Sequence, residues 1–237
     1  MIRGQTMIFE SGNIELSYDY LVEQLKVWNI NTSDVSMLDI GTNFGTLPHM
    51  VFKNLHVYMD GADIRDDTIN TGKENYSEIA DHLFVVGDNL RNIEDRSYDI
   101  VTMFDVIEHI PDVEDYLKND VYRILKPGGM LIFQTPNGRI NPIYETINTK
   151  SLTKWKKYHC SLQTPGQLRR LLDNAGFINI KIEKNTLDSV HNRNKLRKKI
   201  GAFAGVVLFV FQRMPLGSFP NLWGVAQKRH ESSISIL

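Results

Sequence analysis

Residues 37–46 read Met37-Leu38-Asp39-Ile40-Gly41-Thr42-Asn43-Phe44-Gly45-Thr46: an apolar run, an acid, then a turn bearing two glycines. Gly41 lets backbone approach a ligand closely, and Gly45 lets a helix start tightly against the preceding strand. The helix expected over 45–54 carries Pro48 near its start, where a missing N–H costs nothing. Alone, such a turn serves structure as readily as binding. Its surroundings decide the matter.

Six further apolar runs accompany the one at 35–40: residues 57–64 (VYMDGADI), 83–86 (LFVV), 98–104 (YDIVTMF), 130–135 (MLIFQT), 177–182 and 222–226. They are near-continuously apolar and β-branched, as strands covered on both faces should be. Helix signals lie between them. Residues 112–125 begin with a capping Asp112 and stop before Lys126-Pro127-Gly128-Gly129. Thr164-Pro165-Gly166-Gln167 reads as a capping box with proline at the first helical position, and Gly176 ends that helix. An amphipathic helix over about 14–28 precedes the first strand. Strands alternating with helices predict an α/β fold with a mostly parallel sheet, whose ligands sit beyond the C-terminal ends of the strands.

The chain has 237 residues, 27 Lys+Arg against 28 Asp+Glu, and one Cys. With 42% hydrophobic residues it can fill a sizeable core, so wholesale disorder is excluded. A net charge of -1 gives no global reason for a nucleic-acid partner. A single Cys excludes an internal disulfide and a Cys-rich metal site, which fits a reducing, cytoplasmic setting. The longest apolar stretch, residues 200–211, is 12 residues and too short to span a bilayer. These features read as one soluble unit: a helical cover over 1–34, a core over 35–185, a basic and apolar insertion over 186–219, and a last strand and tail over 220–237.

Acids recur after the strands. Asp63 follows the second, 24 positions after Asp39, where nucleoside ribose hydroxyls would want a carboxylate acceptor. Gly87-Asp88-Asn89 follows the third strand and Phe104-Asp105-Val106-Ile107-Glu108-His109-Ile110-Pro111-Asp112 the fourth. With LKPGG before the fifth, the sequence here resembles the class I S-adenosylmethionine-dependent methyltransferases over residues 15–185. LDIGTNFGT, GADI, GD and FDVIEHIPD look like that family's first four motifs, and YHCSLQTPGQLRRLLDNAGF (158–177) like its small-molecule, ubiquinone-biosynthesis-like members. The resemblance implies a Rossmann-like, seven-stranded, mostly parallel sheet with helices on both faces. It also implies S-adenosyl-L-methionine as methyl donor and S-adenosyl-L-homocysteine as product. Asp39, Gly41, Asn43 and Gly45 would then border the amino-acid part of the donor. Asp63 would accept from the ribose hydroxyls, Ile64 pack on adenine, Asp88 with Asn89 meet the adenine amino group, and Phe104 line the wall beside the sulfonium. The family usually has glycine where Asn43 stands, but Asn tolerates left-handed backbone better than most residues.

For a hydroxyl acceptor the protein must position the nucleophile and remove its proton. His109, after the fourth strand, is the leading base, and His159 is the second candidate. His159 lies in the connection over 136–163 with Tyr144, Trp155 and Tyr158, which would pave an acceptor pocket. Quinone-pathway relatives add a divalent-metal reading of Asp105, Glu108 and His109, suited to Mg²⁺ or Mn²⁺ but not expected here. Cys160 reads as a bystander.

Arg193, Lys195, Arg197, Lys198 and Lys199 precede the apolar run, so residues 193–211 read as a lid over the acceptor site, or else as a membrane-interface or oligomer contact. The expected function is methyl transfer to a small-molecule hydroxyl, with a lipid-linked or quinone-like acceptor as the alternative. Two other classes compete. A nicotinamide-dependent oxidoreductase predicts G-x-G-x-x-G and leaves EHIPD and LKPGG unaccounted for. A non-catalytic S-adenosylmethionine-binding module is the other.

Overall fold

A computed structural model describes residues 6–142, 159–183, 197–198, 201, 205–206 and 221–231, with residues 6–13 as backbone alone. Tyr144, Trp155, Tyr158 and most of the 193–211 run lie outside the described residues. The strands are β1 (Met37–Ile40), β2 (Asp60–Asp63), β3 (Leu83–Val85), β4 (Tyr98–Phe104), β5 (Leu125–Pro136), β6 (Ile178–Glu183) and β7 (Asn221–Gln227). They form one sheet in the order β3-β2-β1-β4-β5-β7-β6. β1 to β5 pair in parallel, and β7 runs antiparallel to both its neighbours, β5 and β6.

Alternate residues of these doubly buried strands face different helices. Met37, Ile100, Met130, Ile132, Trp223 and Val225 pack with Leu16, Tyr20, Leu21 and Leu25 of α1 (Thr6–Val27) and Leu47 and Val51 of α2 (Thr46–Leu55). On the other face, Leu38, Ile40, Val101, Met103, Leu131 and Phe133 pack with Val113, Leu117 and Ile124 of α4 and Leu168 and Leu172 of α5 (Pro165–Asn174). α4 runs in three pieces: Val113–Tyr116, a π-helical stretch Leu117–Val121, and Tyr122–Ile124. α3 (Asp66–Asn75) buries Ile69 with Leu83 at the β3 edge.

The capping signals act as their chemistry demands. Thr164 Oγ1 accepts from the Gln167 N–H, and Gln167 Oε1 accepts from the Thr164 N–H at 3.0 Å. Gly176 (φ 98) then turns the chain into β6. Asp112 caps α4, accepting from the Asp115 N–H at 3.1 Å. Other bounds move. α1 starts at Thr6, running through Ser11-Gly12-Asn13, whose weak propensities hide a helix. β2 is confined to Asp60–Asp63, and Tyr58 before it stacks between Phe52 and His82 instead. β5 begins at Leu125 and runs through Lys126-Pro127-Gly128-Gly129, not a turn as read from the sequence: these residues bulge out of the pairing as it passes from Tyr98↔Leu125 to Ile100↔Met130. Lys228 ties the end of α4 to the start of β5, its Nζ donating to the carbonyls of Tyr122 and Leu125 at 2.7 Å.

One core position sets up a test. Gln24, on the buried face of α1, is 1% exposed, and neither its Nε2 nor its Oε1 has a hydrogen-bond partner. An unpaired buried amide costs about 1–3 kcal/mol. Gln24→Met keeps the volume and removes the orphan atoms. It is expected to raise the melting temperature by about 2–6 °C; a lower melting temperature contradicts the reading of Gln24 as unpaired.

Candidate active site

Four strand ends meet along the C-terminal edge of the sheet, at β1, β2, β4 and β5. The turn after β1 is left-handed at three positions: Gly41 (φ 73), Asn43 (φ 54) and Gly45 (φ 75). It is pinned sideways, because the Gly41 and Thr42 N–H groups both donate to Ala62 O of β2, at 2.8 and 3.0 Å. Gly41 is exposed, and its missing Cβ would come within 2.4 Å of Val106 Cγ2. Gly45 is the buried N-cap of α2, packed on Leu83.

Asp39, facing the α1 and α2 side, is 4% exposed and accepts from Thr102 Oγ1 at 2.6 Å. Burial pushes its carboxyl up to about 7, against the hydrogen bond from Thr102. Asp63 ends β2, almost buried, with Oδ2 accepting from the Asn43 N–H at 2.8 Å and Oδ1 from the Arg65 N–H at 3.0 Å. Beside it Ile64 is 64% exposed, an apolar surface that folding leaves bare. A carboxylate acceptor, a bare apolar side chain and a glycine with no Cβ suit a nucleoside carrying ribose hydroxyls and a flat base. Asp88 is exposed and Asn89 half-buried, with Asn89 Oδ1 accepting from the Arg91 N–H at 3.3 Å. Phe104 is half-buried against Trp223 of β7, their ring centroids 5.9 Å apart.

The turn after β4 makes the second half. Asp105 is left-handed (φ 54) and is held by Gln134 of β5, whose carbonyl accepts from its N–H at 3.0 Å and whose Nε2 donates to its Oδ1 at 2.8 Å. A short 3-10 turn, Ile107–His109, follows and buries Glu108 at 1% exposure while leaving the His109 side chain 50% exposed. Glu108 Oε2 accepts from Thr135 Oγ1 at 3.0 Å, and its backbone carbonyl accepts from the N–H groups of Cys160 and Ser161, both at 3.0 Å. That clamp brings His159 beside His109, ring centroids 5.3 Å apart, although 50 positions separate them. His159 Nδ1 lies 3.3 Å from Asn141 Oδ1. Burial, then the neighbouring His109, lowers the His159 pKa below its ordinary value.

Glu108, His109 and His159 each offer a ligand atom within 4.8 Å of the others. The set the structure gathers thus contains His159; Asp105, of the candidate metal residues, accepts at Oδ1 from Gln134. Burial, then the Asp105 charge, pushes the Glu108 carboxyl up to about 8. This fixes the sign of a pH dependence. Below pH 4.5 the carboxyl is protonated folded or unfolded. From there to about pH 8 the unfolded chain releases a proton that the folded one keeps. Stability therefore falls with rising pH by up to about 1.4 kcal/mol per unit. Glu108→Gln is expected to flatten the curve of urea midpoint against pH between 5 and 8; parallel wild-type and variant curves contradict this.

Two participants gave no sequence signal. Arg65 donates from Nη2 to Asn43 Oδ1 at 2.8 Å, with Nε 3.5 Å from Asp63 Oδ1. Asn141 reaches His159 across 18 positions.

A family model described as a methyltransferase domain matches residues 16–182. A demethylmenaquinone methyltransferase of Staphylococcus aureus (strain JH9) is 27% identical over 207 residues, covering 73% of this chain and 86% of that protein. Among solved structures, the phosphoethanolamine N-methyltransferase 2 of Haemonchus contortus, in complex with S-adenosyl-L-methionine, superposes with a TM-score of 0.65 at 20% identity, over 87% of this chain and 51% of that one. A SAM-dependent methyltransferase from Archaeoglobus fulgidus does so at 0.61 and 19% identity, over 94% of this chain and all (100%) of that one.

Proposed function

The chain belongs to the methyltransferase-domain family and is an S-adenosylmethionine-dependent methyltransferase; on that premise we propose that it methylates a hydroxyl oxygen of a small-molecule acceptor. The observation that carries this reading is the pair of imidazoles, His109 on the turn after β4 and His159 clamped beside it from the segment before α5, next to the glycine turn after β1.

S-adenosylmethionine supplies an electrophilic methyl group on a sulfonium and leaves as the neutral thioether. The chain's part is to hold and orient. Asp63 accepts from the ribose hydroxyls, Ile64 covers one face of the adenine, and Asp88 with Asn89 meets its amino group. Asp39 and the backbone of Gly41, Asn43 and Gly45 border the amino-acid end, and Phe104 lines the wall beside the sulfur. On the acceptor side His109 or His159 takes the hydroxyl proton as the O–C bond forms and the C–S bond breaks, its electron pair going to sulfur. An imidazole near neutrality is suited to that task. The lowered pKa of His159 keeps it unprotonated and ready to accept. Residues 35–185 carry this chemistry within a single domain. The reading needs no metal or nucleic acid and places the protein in the cytoplasm.

A second reading, a quinone-like or lipid-linked acceptor met at a membrane surface, is supported by the Staphylococcus aureus relative, named for demethylmenaquinone. Among the described residues no helix is long and apolar enough to cross a membrane, so such an acceptor would be met through peripheral contact. The test is transfer of labelled methyl from S-adenosylmethionine to soluble phenols, sugars and amines and to a short-chain hydroquinone, with mass spectrometry locating the methyl. Methyl on the oxygen of a soluble acceptor is the expected result; methyl found only on carbon or nitrogen overturns the oxygen assignment.

A further inference from the structure

Asn43 stands left-handed at φ 54, a conformation glycine adopts freely and a residue with a side chain adopts at a cost. Two bonds hold it. Its peptide N–H donates to Asp63 Oδ2 at 2.8 Å, and its side-chain Oδ1 accepts from Arg65 Nη2 at 2.8 Å. Arg65 also grips the other carboxylate oxygen, through its N–H at 3.0 Å and its Nε at 3.5 Å. One residue therefore ties the turn after β1 to the loop after β2, with the Asp63 carboxylate between them.

We propose that Arg65 is a positioning residue for the methyl donor: a latch that, through Asn43 Oδ1, keeps the turn left-handed and so keeps the Asn43 N–H on the Asp63 carboxylate that meets the ribose hydroxyls. The inference rests on the reading of Asp63 as the ribose acceptor. A planar guanidinium delivers Nη2 to one acceptor and Nε to another at once, which the single ammonium of lysine does not. Charge alone predicts the opposite effect, because S-adenosylmethionine carries a positive sulfonium and a nearby cation repels it.

Calorimetric titration of the full chain with S-adenosylmethionine separates these. Arg65→Met and Arg65→Lys are each expected to weaken binding about tenfold, the effect of one charge-assisted hydrogen bond. Asn43→Gly should make the latch dispensable, so adding Arg65→Met to it changes affinity by less than about twofold, a rescue that a merely stabilising surface contact would not give. Unchanged or tighter binding by Arg65→Met overturns the latch, as does the same tenfold loss with and without Asn43→Gly. Asp63→Ala, measured alongside, shows which reading fails. If binding is lost there while Arg65→Met binds normally, the latch alone falls; if both bind normally, the ribose assignment falls with it.

Discussion

Gly41→Ala is expected to weaken S-adenosylmethionine binding by more than about a hundredfold while leaving a folded, less stable protein. Two costs add at this residue. Its φ of 73 is left-handed, which a side chain occupies at a penalty of about 1–2 kcal/mol. The new Cβ would also lie 2.4 Å from Val106 Cγ2, closer than any real contact. The turn cannot retreat, because the Gly41 and Thr42 N–H groups are both tied to Ala62 O. Val106 must give way, and it sits between Asp105 and the turn that presents Glu108 and His109. Circular dichroism and titration calorimetry on the same sample check this. Affinity within about threefold of wild type would show that Gly41 does not border the donor.

His109→Ala and His159→Ala carry the next largest effects. A positioned general base contributes about 10²–10⁴ in rate. The variant that removes the base should therefore lose at least about a hundredfold in kcat at unchanged donor affinity, and the other should lose less. Their pH profiles tell them apart. A base acts only when unprotonated, so rate rises with pH through its pKa and then levels. For His159 that rise lies below 6.5, because burial and His109 both disfavour its charged form. If His159 is the base, His109→Ala removes one of those causes and shifts the rise upward, toward 6.5. If His109 is the base, His109→Ala abolishes the rise together with the activity, and His159→Ala retains it. Full kcat in both variants contradicts imidazole catalysis.

Much of the fold is legible because burial on both faces leaves one signature: the runs at 35–40 and 98–104 read as strands covered on both faces, and the sheet pairs β1 and β4 directly. Thr164 and Gln167 cap their helix through purely local chemistry, and Asn43 is left-handed as its residue type permits. The inverted strand was not legible, since nothing local to 221–227 says that it inserts antiparallel between β5 and β6. Nor was the π-helical stretch of α4, where buried Asp120 accepts from the Leu90 N–H at 2.9 Å. In the site, Asp63 announces itself by following an apolar strand. Arg65 does not, because an exposed cation after a strand looks like solvated surface until the fold brings Asn43 to it. The resemblance to quinone-pathway relatives grouped Asp105 with Glu108 and His109. Asp105 Oδ1 accepts from Gln134 Nε2, and the clamp on the Glu108 carbonyl adds His159 beside Glu108 and His109.

A crystal structure of the chain with S-adenosylhomocysteine tests the central claim most directly. The account predicts the ribose hydroxyls on the Asp63 carboxylate, adenine against Ile64, and the sulfur beside Phe104 on the side open to His109 and His159. A nucleoside bound away from Asp63, or a sulfur screened from both histidines, would contradict it.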